Sequence, residues 1–242
     1  MMYFSRVRIR PYTDNYSRLM PILNGDGYAV HQLIWTLFPG RPDADRMFLF
    51  RQEFEKEQMS EVPSVRGIPL FYVLSKDKPS AQTDVLIAET KEYAPKLSAG
   101  DKLAFSLRAN PVIARKQDNG KKNSKRCDIL MDVKYQLKHS DTHLTSEQIQ
   151  VPQNQAVADW LVRKGTTAGF NISEISDLQI AAYQQHVLSK KALTGNNEIK
   201  FSSVDITGTL EVTEPDLFLQ MLEKGLGSAK SFGCGMMMIR RI

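Results

Sequence analysis

The 242-residue chain holds only two cysteines, Cys127 and Cys234, far apart and in no CxxC or zinc-like spacing. A disulfide scaffold is thereby excluded, and reduced thiols in a cytoplasmic protein are expected. No apolar run approaches the ~20 residues that a membrane span requires. The first residues, MMYFSRVRIRPY, alternate like a strand and lack the apolar core and small-residue cleavage site of a secretory signal. Neither export nor a membrane partner is expected. Histidine is scarce too, with four in the chain. No HExxH, nucleophile elbow or Ser-His-Asp order occurs, so zinc-hydrolase and serine-hydrolase chemistry has no footing and no cofactor is expected. His139 and His143, four apart in KHSDTHL, would suit a metal on a helix but have no evident third ligand.

Charge is present and unevenly placed. The formal net charge is +5, yet Lys102 to Arg126 holds eight basic residues and one acid, Asp118. That segment carries +7 and the remainder −2. Such a concentration is either a solvated basic loop or the footprint of a polyanion partner, and the second reading is slightly favoured.

Hydrophobic periodicity divides the chain into two cycles. YFSRVRI (3–9), MFLFRQEFE (47–55) and IPLFYVLSK (68–76) read as strands. In GYAVHQLIWTLFP, Val30, Leu33, Ile34, Leu37 and Phe38 form one helical stripe that Pro39 ends. Residues 80–95 suggest a short helix and a return strand. After Pro95 and a turn at 97–102, KLAFSLRANP (102–111) begins a second cycle. ARKQDNGKKNSKR (114–126) reads as a loop or irregular insertion, and NQAVADWLVRKG (154–165) as a helix ending at Gly165. IKFSSVDITGTLEV (199–212) is a clear strand. TEPDLFLQMLEKG (213–225) is a helix with a capping-box start, and GMMMIRRI closes the chain as a strand. The pattern predicts an α+β protein of tandem ferredoxin-like (RRM-like) βαββαβ domains, residues 1–95 and 96–242, the first cycle incomplete.

Two features could carry chemistry. His31 flanks the apolar stripe of its helix with Tyr28 one turn earlier, so both lean over one patch of surface. That is either helix-edge packing or a catalytic pair. GLGSAKSFGCG (225–235) places Gly225, Gly227, Gly233 and Gly235 around Ser228, Lys230 and Ser231. Free backbone N–H groups with a central lysine suit a phosphate, although the order is not that of a P-loop. A His, a Tyr and lysines fit a reaction whose nucleophile comes from the substrate, such as RNA cleavage by the ribose 2′-hydroxyl.

Together, the YxxH helix with WTLFPGRPDADRMFLFR (35–51), LRANP (107–111) with its basic sequel to KRC (125–127), and GLGSAKSFGCGMM (225–237) resemble the CasE family. These are CRISPR-associated endoribonucleases of type I-E systems, and the resemblance runs nearly end to end. It implies metal-independent cleavage at the 3′ base of a CRISPR-repeat stem-loop, a 2′,3′-cyclic phosphate product, and retention of the RNA, first precursor and then mature, among the other Cascade subunits. By position, His31 matches the catalytic histidine, Tyr28 the tyrosine beside it and Lys230 the lysine of the glycine loop. Arg108, Arg115, Lys116, Lys121, Lys122, Lys125 and Arg126 match the region that grips RNA, joined by Gly225, Gly227, Ser228, Ser231, Gly233 and Gly235. Residues 128–153 stand apart as an insertion. A non-catalytic RNA stem-loop-binding subunit is the alternative, and an enzyme of small phosphorylated ligands a more distant one.

Overall fold

The computed structural model describes residues 1–10, 27–40, 46–54, 69–116, 124–140, 144–192 and 195–242. The positions Lys121, Lys122 and His143 lie outside them. Two compact units divide the chain. The first is Met1–Lys96 with Glu223–Gly225 and Ala229–Met236; the second is Leu97–Leu222 with Leu226–Ser228 and Met237–Ile242.

Among the described residues the first unit is a four-stranded antiparallel sheet covered by one helix. Strands β1 (Met2–Ile9), β2 (Phe48–Phe54), β3 (Pro69–Ser75) and β4 (Leu86–Tyr93) lie in the order β2-β3-β1-β4. Helix α1 (Gly27–Trp35) is shorter than its apolar stripe. Leu37 and Phe38 stay buried because tighter i→i−3 hydrogen bonds, Thr36 to Leu33 and Phe38 to Trp35, carry the chain one more turn toward Pro39. Val30, Leu33, Ile34, Leu37 and Phe38 pack on Val7, Phe48, Phe50, Phe71, Val73 and Leu86, one face of the sheet. The helix suggested within 80–95 is not formed. Thr83 instead accepts from the backbone N–H groups of Val85 and Leu86, and the chain turns directly into β4. The first cycle therefore lacks its second helix.

The second unit has the same strand order with its helices present. Strands β5 (Lys102–Ala109), β8 (Phe170–Ile172), β10 (Gly195–Val212) and β11 (Met237–Arg241) form the sheet β11-β5-β10-β8. β9 (Gln179–Ala192) pairs with β10 as a long ribbon. Leu103, Phe105, Leu107, Val204, Ile206 and Leu210 meet Val157, Trp160, Leu161, Phe218 and Leu222 from the helices. Alternation made these strands legible; the ribbon was not, since much of β9 is exposed.

Three expectations change here. The basic stretch 114–126 is not an irregular loop at its ends: β6 (Val112–Lys116) and β7 (Ser124–Asp128) pair antiparallel, with Arg115 opposite Lys125. Residues 128–153 supply helix α2 (Ile129–Ser140) and the start of α3 (Ser146–Ala168). The helix placed at 154–165 is thus longer at both ends. Thr145 and Gln148 form a capping box at its start, and Gly169, at φ 77°, ends it. Gly165 is a packing position inside the helix, where a Cβ would come within 2.6 Å of the Phe170 carbonyl oxygen. Helix α4 (Pro215–Lys224) keeps its predicted limits closely. Among the described residues no helix is long and apolar enough to cross a membrane.

Candidate active site

His31 is set by the periodicity of α1. Its neighbours Val30, Leu33 and Ile34 are buried, so the next position round the helix lies at the edge of the core, half in and half out of solvent. The imidazole rests among aromatic rings: Phe48 at 5.8 Å between centroids, Trp35 edge-on at 6.2 Å and Phe50 at 6.5 Å. Its Nε2 is buried and has no hydrogen-bond partner among the described residues. An orphaned polar atom of this kind costs ~1–3 kcal/mol unless an outside group satisfies it. Burial, and then the charge of Arg46, push the imidazole pKa below its ordinary value. His31 is therefore held neutral around pH 7. Tyr28, one turn earlier, is exposed.

The 225–235 stretch folds back beside this helix. α1 packs against a 3-10 turn at Lys230–Phe232. All four glycines have left-handed φ, from 76° to 89°. The requirement is clearest at Gly225, whose added Cβ would sit 2.8 Å from Leu49 Cδ2 and 3.0 Å from the Gly235 carbonyl oxygen. At Gly233 it would sit 3.3 Å from the Phe50 ring, the ring that also borders His31. Ala229 takes φ 55° without being glycine, local strain of the kind that concentrates at functional loops. The Lys230 amine donates to the Lys224 carbonyl oxygen at 2.8 Å, across the end of α4. Ser231 accepts from Arg46 Nη1 at 3.2 Å.

Arg46 is the residue that sequence reasoning passed over. It stands two positions before Phe48, so the alternation of β2 carried backward puts it on the side that faces α1. A cation at such a position was a readable signal. Its guanidinium is half-buried, burial lowers its pKa, and its Nε has no partner among the described residues.

In the second unit the basic residues divide into two kinds. Arg108 binds Asp205 with both Nε and Nη2, at 2.7 and 2.8 Å, and Arg115 pairs with Asp132. Their charges are largely matched within the protein. Arg126 instead donates to the Ser228 hydroxyl at 3.2 Å, bringing the β6–β7 ribbon and the glycine stretch together. LRANP is partly structural: Leu107 is core, and Asn110 donates to the Ser202 carbonyl oxygen at 2.7 Å. His139 leans on Tyr135, whose carbonyl oxygen lies 2.9 Å from its Nδ1.

Comparisons with known proteins give the family and the fold. The sequence matches the family described as CRISPR associated protein over residues 2–241. It is 30% identical over 216 residues to the CRISPR system Cascade subunit CasE of Escherichia coli K12, covering 88% of this chain and 90% of that protein. Among solved structures, the fold resembles a CRISPR endoribonuclease Cse3 bound to a 19-nucleotide RNA, with TM-score 0.68, 20% identity and 98% and 99% of the two chains covered. It also resembles Thermus thermophilus Cse3 in an RNA pre-cleavage complex, with TM-score 0.66, 21% identity and 99% and 98% covered. At these identities the structures establish the shared tandem ferredoxin-like fold. The chain belongs to the CRISPR-associated protein family.

Proposed function

We propose that this chain is a cytoplasmic endoribonuclease that cuts CRISPR-repeat RNA at the base of its stem-loop and stays on the product as a Cascade subunit. The relative named as a Cascade subunit supports the assembly, and the family of Cse3 endoribonucleases supports the chemistry. One observation carries the catalytic reading: a neutral His31 whose buried Nε2 has no described protein partner, packed beside a glycine-rich turn with Arg46 close by. In this reading residues 1–95, with the returning glycine loop, form the catalytic domain, and the rest of 96–242 grips the RNA.

The 2′-hydroxyl attacks the adjacent phosphorus while the bond to the 5′ oxygen breaks. The two strands separate as a 2′,3′-cyclic phosphate and a 5′-hydroxyl. His31, neutral at the outset, takes the 2′ proton through Nε2, a water molecule gives the departing 5′ oxygen its proton, and the imidazolium returns its own to solvent. Tyr28 orients the attacking hydroxyl. Lys230 and the backbone N–H groups of the loop face the phosphate charge that grows in the transition state. The β6–β7 ribbon supports an RNA partner independently. Arg126 on β7, whose described hydrogen bond goes to the neutral Ser228 hydroxyl, offers its charge to a phosphate. A deep, narrow RNA major groove exposes phosphates to such a ribbon more readily than base edges.

The test is incubation of the protein with the repeat stem-loop from its own genome, in EDTA. A single cut ending in a cyclic phosphate is the expected result. Tight binding without a cut would establish the RNA-binding subunit instead.

A further inference from the structure

Next to the His31 helix, wholly within the first unit, lies a recess of about 340 Å³. Among the described residues four cations line it, Arg46, Lys76, Lys224 and Lys230, with one acid, Glu223, and Phe48 on an apolar wall. Glu223 pairs with Lys76 at 2.6 Å. The Lys230 stem is tethered through its amine to the Lys224 carbonyl oxygen. Arg46 differs from the lysines. It is half-buried, its one described hydrogen bond goes to the neutral Ser231 hydroxyl, and its Nε is buried without a partner among the described residues.

A guanidinium carries five N–H donors and remains charged. Withdrawing it from water beside a cluster of lysines is unfavourable unless an anion meets it. Its planar fork matches two phosphate oxygens at once, which an ammonium group cannot do. Phe48 ties the recess to the candidate catalytic group, since it borders the recess and its ring lies 5.8 Å from that of His31. We propose that this recess is a phosphate subsite anchored by Arg46, and that it takes the phosphodiester of the RNA strand at the 3′ base of the repeat stem, the bond to be cut. The inference rests on the endoribonuclease reading and adds to it a catalytic residue. Arg46 shares the phosphate charge with Lys230, whose amine is held beside it by its bond to the Lys224 carbonyl oxygen.

A binding cycle tests this without relying on turnover. The probes are two repeat stem-loops made uncleavable by a 2′-deoxy ribose at the 3′ stem base. One has an ordinary phosphodiester there; the other has an uncharged methylphosphonate at that single position. Wild type should lose roughly tenfold in affinity when the charge is removed. Arg46→Gln should bind both RNAs equally, each at about the weaker affinity, because the loss has already been taken. Independent, additive losses in the two arms would overturn the assignment. Lys224→Gln, an exposed change at a helix end, guards against a folding artefact. It should weaken binding and lower the salt slope by about one unit. An unchanged slope with unchanged affinity would remove the recess from the RNA path. On the ordinary repeat with its 2′-hydroxyl intact, Arg46→Gln should slow single-turnover cutting about 100-fold or more at saturating protein. If wild type fails to cut that RNA the endoribonuclease reading falls, whereas the binding cycle still reports whether Arg46 holds that phosphate.

Discussion

Arg46 donates from Nη1 to the Ser231 hydroxyl at 3.2 Å, joining residues 185 positions apart. The bond fastens the mouth of β2 to the turn that packs on α1 and sets a cation beside His31. Three segments separated in sequence thus share one small region, and the chemistry depends on that region more than on any single motif.

The first consequence is electrostatic. Burial and Arg46 both disfavour imidazolium, so His31 in the free protein should titrate below the ordinary ~6.5. A depressed histidine stabilises the fold above its unfolded-state pKa, and that contribution disappears as pH falls through the folded-state value. The relevant window therefore lies below about pH 6.5. NMR titration of the free protein should show this midpoint, and Arg46→Gln should move it upward without restoring it fully, because the burial remains. A wild-type midpoint at or above 6.5 would contradict the placement of Arg46.

Gly225 is the tightest point of the returning loop. Alanine there would need φ near 76° and would press its Cβ against Leu49. Gly225→Ala should lower stability by about 1–3 kcal/mol, read as a drop in the urea midpoint with the slope unchanged. A wild-type midpoint would mean that the turn relaxes freely.

The basic residues should separate by salt dependence. Arg126, whose described partner is the neutral Ser228, should act as a phosphate contact, so Arg126→Gln should reduce the slope of log affinity against log salt by about one. Arg108 is bidentate with Asp205, so Arg108→Gln should leave the slope nearly intact. Its effect should appear as about 1–3 kcal/mol of lost stability, from the two hydrogen bonds to Asp205 that the guanidinium no longer makes. Equal slopes for the two variants would show that the ion pair opens on RNA.

What could be read from the chain follows from what each element buries. The α1 stripe and the strands β5, β10 and β11 each cover one face of a core, and period 3.6 or 2 announces them. β6 and β7 cover little, so the basic ribbon looked like a loop. The first half of α3 buries Ile149 and then nothing until Val157, so periodicity could not find it, although Thr145-x-x-Gln148 marked its start. Gly165 misled as a stop because its missing Cβ answers to Phe170, not to a turn. At the site, the YxxH helix and the glycines were legible as local motifs. For Arg46 only its α1-facing position could be read, because its partner Ser231 lies far away in sequence and the burial of its guanidinium shows only in the fold.

The most direct measurement is single-turnover cleavage of the labelled repeat stem-loop in EDTA by wild type and His31→Ala, at protein concentrations that saturate binding. The account predicts a cyclic-phosphate product from wild type and a rate at least ~100-fold lower in the variant, with affinity for the uncleavable RNA nearly unchanged. Equal rates for the two proteins would contradict it, leaving the cleavage in place and removing His31 from its centre.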